Sequence, residues 1–293
     1  MTLTGFLTLL LIALMMGANH VAARTAFNHG VDVVTAVTFR SSVTAFVVAL
    51  ILWQQKVSLQ LTGRHKKNLL LIGALIAVQS VCLYSSVARL PVALALLAFN
   101  TYPLLTAFWA RVLYGHRPER AVLLAMPVML LGLALALDVM GAASGLGAAQ
   151  QWGQIGVGVG FAMAASVTFG LALVITQHEA ADVDGRLRTF TTMATVAVLA
   201  AVAASQSGLH LPTATAGWWG LGALTFLYGT AFTIMFTVLP KLGVVGNSAI
   251  MNVEPVFALV LAWGVLGQSI ALMQLVGALV VVATVMWLGL RKR

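Results

Sequence analysis

Charge is scarce in this chain. Of 293 residues only 8% are Asp, Glu, Lys or Arg, with 7 acids against 16 Lys and Arg, and 61% are hydrophobic. A soluble domain carries about 25% charged residues, so the composition excludes a soluble enzyme and a disordered chain. Cysteine is almost absent. A lone Cys82 supports neither an internal disulfide nor a cysteine metal site, which excludes a disulfide-built secreted scaffold. The chain also lacks a Walker A loop, an HExxH motif, a nucleophile elbow and a paired-acid constellation. Gly156-x-Gly158-x-Gly160 lacks the spacing of a nucleotide loop and sits in an apolar run, where small residues serve helix packing. No catalytic residue, cofactor or metal site is expected.

Long apolar runs are what the chain has. A membrane helix needs about 20 mostly apolar residues. Ten runs qualify, at roughly 3–23, 32–53, 69–88, 91–114, 120–139, 153–176, 189–208, 217–239, 242–266 and 270–290. None alternates polar with apolar as barrel strands do. The first run has no basic residues before it and no Ala-x-Ala site, so it reads as a span rather than a cleaved signal. The expected fold is an all-α polytopic membrane protein of ten transmembrane helices in a lipid bilayer.

The basic residues give an orientation. With the N-terminus in the cytoplasm, inside loops hold Lys56, Arg64, Lys66, Lys67, Arg117, Arg120, Arg186, Arg188, Lys241, Arg291, Lys292 and Arg293, and Arg111 lies near them. Only Arg24 and Arg89 fall outside, with Arg40 inside a span. Cytoplasmic loops carry the excess of Lys and Arg, so both termini are placed in the cytoplasm. The net charge of +9 marks topology, and no nucleic-acid partner is expected.

An internal repeat links the halves. Arg89-Leu90-Pro91-Val92 and Lys241-Leu242-Gly243-Val244 are each followed by an Asn and a Pro. Asn100 matches Asn252, Pro103 matches Pro255 and Gly115 matches Gly267, all at an offset of 152 (252 − 100). Residues 1–145 and 150–293 are therefore read as two five-span repeats. Five is odd, so the second repeat enters the membrane inverted, the arrangement of alternating-access transporters.

These features resemble the drug/metabolite transporter superfamily, EamA type. The resemblance covers the whole chain and rests on the 5+5 arrangement, on Leu97-x5-Pro103 followed by Gly115, and on Glu254-Pro255 followed by Gly267-Gln268. The family often has Gly-Glu after the fourth and ninth spans, where this chain has His116 and Gln268. The segment from Ala13 to Arg24 looks like the aromatic amino-acid exporter group. The resemblance implies a bacterial inner-membrane secondary transporter exporting amino acids, monomeric or a weak homodimer. Its two halves would rock about a cavity lined by spans 1, 3, 4, 6, 8 and 9. A multidrug or metabolite carrier is the alternative within transport, and a membrane-embedded enzyme is the alternative outside it.

The residues allow a candidate site to be drawn. A mid-helix Pro deprives the carbonyl four residues earlier of its amide, Phe99 for Pro103 and Met251 for Pro255, so both prolines read as hinges. Asn100 and Asn252 each lie ten residues beyond a loop Leu, roughly 15 Å into the bilayer. Glu254 is the one acid well inside a span, and its counterpart in the first half is Tyr102. A carboxylate there faces protein or water and could meet a substrate amine, carry a proton or form an ion pair. His20 could be a ligand, a proton carrier or a core residue. Tyr84, Tyr102 and Tyr228 lie inside spans, with Ser80/Tyr84 and Tyr228/Phe232 each sharing a helix face. Arg40 could hold a carboxylate, but it is expected rather to snorkel or to pair with loop backbone. Trp109 and Trp263 are expected to face core or cavity. The topology is directly testable: in a Cys82→Ser background, Thr62→Cys and Leu146→Cys should react with a membrane-impermeant thiol reagent from opposite sides, and labelling from one side would end the ten-span reading.

Overall fold

The structure is a computed structural model that describes residues 3–116, 120–142, 145–237, 253–268 and 271–290. The described residues form eleven helices and no strand: α1 Leu3–Asn28, α2 Val33–Gln54, α3 Gly63–Arg89, α4 Val92–Phe99, α5 Tyr102–Tyr114, α6 Arg120–Ala136, α7 Ala148–Glu179, α8 Gly185–Ser207, α9 Thr215–Thr237, α10 Glu254–Leu266 and α11 Leu272–Leu290. Asn252 and Lys241 lie outside the described residues. Large apolar side chains such as Phe46, Leu124 and Trp219 project from the helix flanks in numbers no aqueous surface would tolerate, as lipid-facing side chains do.

Loop contacts place the span ends alternately at two opposite ends of the molecule, with α4 and α5 forming one span. At one end Arg24 donates to the Val87 and Leu90 carbonyls, Thr213 N donates to the His29 carbonyl, and the Gln268 side chain accepts from Val92 N at 3.1 Å. At the other end Glu179 accepts from Arg64 (Nε 2.9 Å, Nη2 2.6 Å), Asn68 and Tyr114, and Arg186 reaches Gln55. The helix starts are capped in matching fashion. Asp32 accepts from Thr35 N ahead of α2, and Asp184 accepts from Arg186 N ahead of α8. The Arg186 side-chain hydrogen bond, helped by backbone N–H groups, holds the Asp184 carboxyl down at about 2. That contribution is in place above the ordinary carboxylate value and fades only as pH falls toward 2, so the cap stays charged at any ordinary pH.

The fourth span is not a kinked helix but two helices. The expectation of a mid-helix hinge at Pro103 is corrected here: α4 stops at Phe99, and Pro103 lies in the first turn of α5, where its missing N–H is not needed. Pro255 occupies the same place in α10. Each of these two helices runs 13 residues and ends on a left-handed glycine, Gly115 (φ +69°) and Gly267 (φ +64°). The repeat read from sequence is therefore a repeat of local structure.

Packing crosses between the repeats. α3 lies along α7, α1 along α9, α2 along α8 and α6 along α11. The two halves are therefore interleaved: each of these main helix contacts joins one half to the other. Several helices approach closely at glycine. A Cβ on Gly17 of α1 would stand 3.0 Å from Ala258 N and 3.1 Å from the Glu254 carbonyl in α10. A Cβ on Gly170 of α7 would meet Thr106 N of α5 at 2.9 Å. These two crossings are the same contact in the two repeats. Gly17→Ala should therefore destabilise by about 1–3 kcal/mol, while Gly160→Ala, with open space around its Cβ, should be neutral. Thermal unfolding in detergent checks the pair, and equal midpoints would refute the close crossing.

Candidate functional site

The Gly17 crossing positions the site. It lets α1 lie against the first turn of α10, and one turn further along α1 His20 Nε2 comes 3.3 Å from Glu254 Oε1. His20 is buried and Glu254 half-buried. The carboxylate stands at a helix N-terminus, where free N–H groups and the helix dipole favour negative charge. His20 Nδ1 is buried and meets no hydrogen-bond partner among the described residues.

Tyr84 of α3 extends the site. Its ring lies edge-on to His20 at 5.7 Å, and its hydroxyl donates to Asn19 Oδ1 at 2.9 Å. On its other side the Arg40 guanidinium lies 4.6 Å from the ring centroid. Arg40 also stacks on Tyr228 of α9 at 3.8 Å and donates through Nη2 to Ser80 Oγ at 2.8 Å. The expected snorkelling of Arg40 is thus corrected: its side chain turns inward, is 3% exposed and sits between two aromatic rings. Ser80 and Tyr84 do share a face, and Tyr228 rests on Phe232 with centroids 4.4 Å apart.

Tyr102 starts α5 as Glu254 starts α10. Its ring packs against Phe99 (5.4 Å) and Phe169 (4.9 Å) and lies within electrostatic reach of Glu254. Asn100 is placed differently. It is buried, and its amide donates to the Leu96 carbonyl of its own helix at 2.8 Å. Thr101 donates to the Ala98 carbonyl and meets Ser166 Oγ at 3.0 Å. These side chains satisfy the backbone at the helix break, so Asn100 closes the break and does not join the His20–Glu254 group. Trp109 donates to the Val167 carbonyl, whereas Trp263 is 68% exposed on the lipid-facing surface, contrary to expectation.

The structure therefore gathers His20, Tyr84, Tyr228 and Glu254, adds Arg40, Asn19 and Ser80, and sets Tyr102 nearby. The spacing of Ser80 and Tyr84 was the available signal for a polar partner on α2. Among the described residues no group of three His, Cys, Asp or Glu could hold a metal. The arrangement offers an acid with an imidazole at one end, a cation at the other and aromatic faces between. Tyr84→Phe should cost about 1–3 kcal/mol by stranding Asn19 Oδ1. Tyr84→Ala should cost about 3–5 kcal/mol by also opening a cavity. Denaturation in mixed micelles ranks the two, and equal losses would mean the hydroxyl contributes nothing.

The comparisons with known proteins agree with this architecture. No curated protein matches the sequence significantly. One solved crystal structure, described only as that of a protein, superimposes with a TM-score of 0.61 and 18% identity over 97% of this chain and 96% of its own, which shows a shared fold. The EamA-like transporter family matches twice, over residues 3–137 and again over 156–290. With both repeats matched across most of its length, the chain belongs to the EamA-like transporter family of the drug/metabolite transporter superfamily and is a membrane transporter.

Proposed function

We propose that this transporter exports amino acids, aromatic and other neutral ones among them, across the bacterial inner membrane by alternating access. The reading carries with it repeat units at 1–145 and 150–293, both termini in the cytoplasm and a monomer or weak homodimer. The excess of basic residues at the end holding Arg64, Lys66, Lys67, Arg186 and Arg188 supports the orientation. The single observation that carries the substrate class is the His20–Glu254 pair at 3.3 Å beside Tyr84. A half-buried carboxylate suits a substrate ammonium, and the aromatic faces suit an uncharged side chain.

The aromatic group Phe99, Tyr102 and Phe169 beside one acid also favours a second reading, efflux of lipophilic cations by a carrier of the same superfamily. Proteoliposomes loaded with labelled phenylalanine, leucine or a quaternary ammonium dye separate the two. Amino-acid efflux from wild type is the expected result, and dye efflux alone would replace the first reading with the second. Glu254→Gln, nearly isosteric and neutral, should insert normally and reduce amino-acid flux at least about tenfold, the effect of one lost charge contact. Unchanged flux and affinity at every pH tested would make Glu254 structural.

A further inference from the structure

Arg40 is a buried cation that meets no carboxylate among the described residues. Six of the seven acids in the sequence fall among the described residues, Glu119 being the other. Glu179, Asp182, Asp184, Asp32 and Glu254 pair with Arg64, His65, Arg186, His210 and His20. Asp138 lies in the turn after α6, and its neighbours Val139 and Gly141 bond back to that turn. Arg40 instead meets two tyrosine rings, with a hydrogen-bonding interaction to Tyr84, and the Ser80 hydroxyl, and its Nε is buried without an acceptor among the described residues. Ionisable groups in membrane spans are costly enough to mark a function, and a buried donor without an acceptor adds to that cost.

The repeat shows that the scaffold does not require this cation. α2 and α8 start on matching aspartates, 152 residues apart (184 − 32), and the two family matches are 153 apart (156 − 3). Either offset puts Arg40 opposite an uncharged residue, Thr192 or Met193, both buried in α8. The same inter-helix position is thus built without charge in the other half.

We propose that Arg40 and Ser80, between Tyr84 and Tyr228, form an anion subsite that takes the carboxylate of the transported solute. A guanidinium presents paired N–H donors that match a carboxylate. The steps from His20 to Tyr84 (5.7 Å) and from Tyr84 to Arg40 (4.6 Å) bound the distance between imidazole and guanidinium at about 10 Å. The anion subsite and the Glu254 carboxylate thus belong to one contact chain through His20 and Tyr84, so one solute carrying both an ammonium and a carboxylate on one carbon is the probe of choice. The subsite rests on the amino-acid reading only for the second contact, because the carboxylate contact stands alone. Tyr228 rides on α9 and Arg40 on α2, so separation of these helices uncovers the guanidinium edge.

The test uses the full-length protein in detergent and four probes: L-phenylalanine, phenylalaninamide, phenethylamine and 3-phenylpropionate. Calorimetric titration of wild type should show L-phenylalanine binding at least about tenfold tighter than its amide or phenethylamine, the loss expected for one unpaired charge contact. It should also show measurable binding of 3-phenylpropionate. Arg40→Met should abolish both the preference and the 3-phenylpropionate signal, while Arg40→Lys keeps the charge and part of the preference. Equal affinity for L-phenylalanine and its amide in wild type would overturn the proposal without any variant, as would a folded Arg40→Met protein that keeps the preference. Binding of 3-phenylpropionate that depends on Arg40, without binding of L-phenylalanine, would sustain the subsite and defeat the amino-acid reading.

Discussion

Hydrocarbon offers no hydrogen-bond partner, so each polar group in the middle of this chain must find one within the protein. The rest of the structure follows from that constraint. Where α4 stops at Phe99, the Asn100 amide, the Thr101 hydroxyl and Ser166 of α7 take up the exposed backbone and hydroxyl groups. Threonines along the spans, such as Thr25, Thr38, Thr44 and Thr176, return their hydroxyls to the carbonyl four residues earlier. Gln268, replacing the family's frequent Glu, still accepts from the first N–H of α4 across the repeat boundary. The groups that this economy of partners leaves short are His20 Nδ1 and Arg40 Nε among the described residues, together with the Ser86 hydroxyl. Two of the three lie in one continuous contact chain through Tyr84.

Symmetry governs the scaffold and is abandoned in the chemistry. The close glycine crossings, the aspartate caps and the 13-residue helices that begin with a proline turn all occur twice. A pseudo-symmetric frame suits alternation, because it gives the two end states similar packing. Glu254 instead faces its counterpart Tyr102, and Arg40 has Thr192 or Met193 as its counterpart. The two repeats thus differ in chemistry at matched positions.

Most of the fold was legible in sequence because lipid imposes length and apolarity on every span. The ten runs, the alternation and the repeat all follow from that rule. Helix limits were less legible. α3 begins at Gly63 and α7 extends from Ala148 to Glu179 because polar residues continue a helix beyond the hydrocarbon, where hydropathy no longer reports it. Pro103 was misread because a proline in the middle of an apolar run looks the same whether it bends one helix or begins another. The site was partly visible: His20, Tyr84, Tyr228 and Glu254 stand out as polar or aromatic residues inside spans. Arg40 was misplaced because its environment comes from α3 and α9, and one sequence does not say which helices touch. Trp263 went wrong for the same reason.

The interleaving of the two repeats also sets a timetable for biogenesis. α1 is translated before α9 and α10, yet these are its main neighbours. His20 precedes Glu254 by 234 residues (254 − 20). At 5–20 residues per second, that interval is roughly 10 to 50 seconds. Throughout it the imidazole of His20 has no carboxylate, and for most of it the guanidinium of Arg40 has no Tyr228. The contacts of the first helix are completed only when helices made more than 180 residues later have been inserted, since 187 residues (215 − 28) separate the end of α1 from the start of α9.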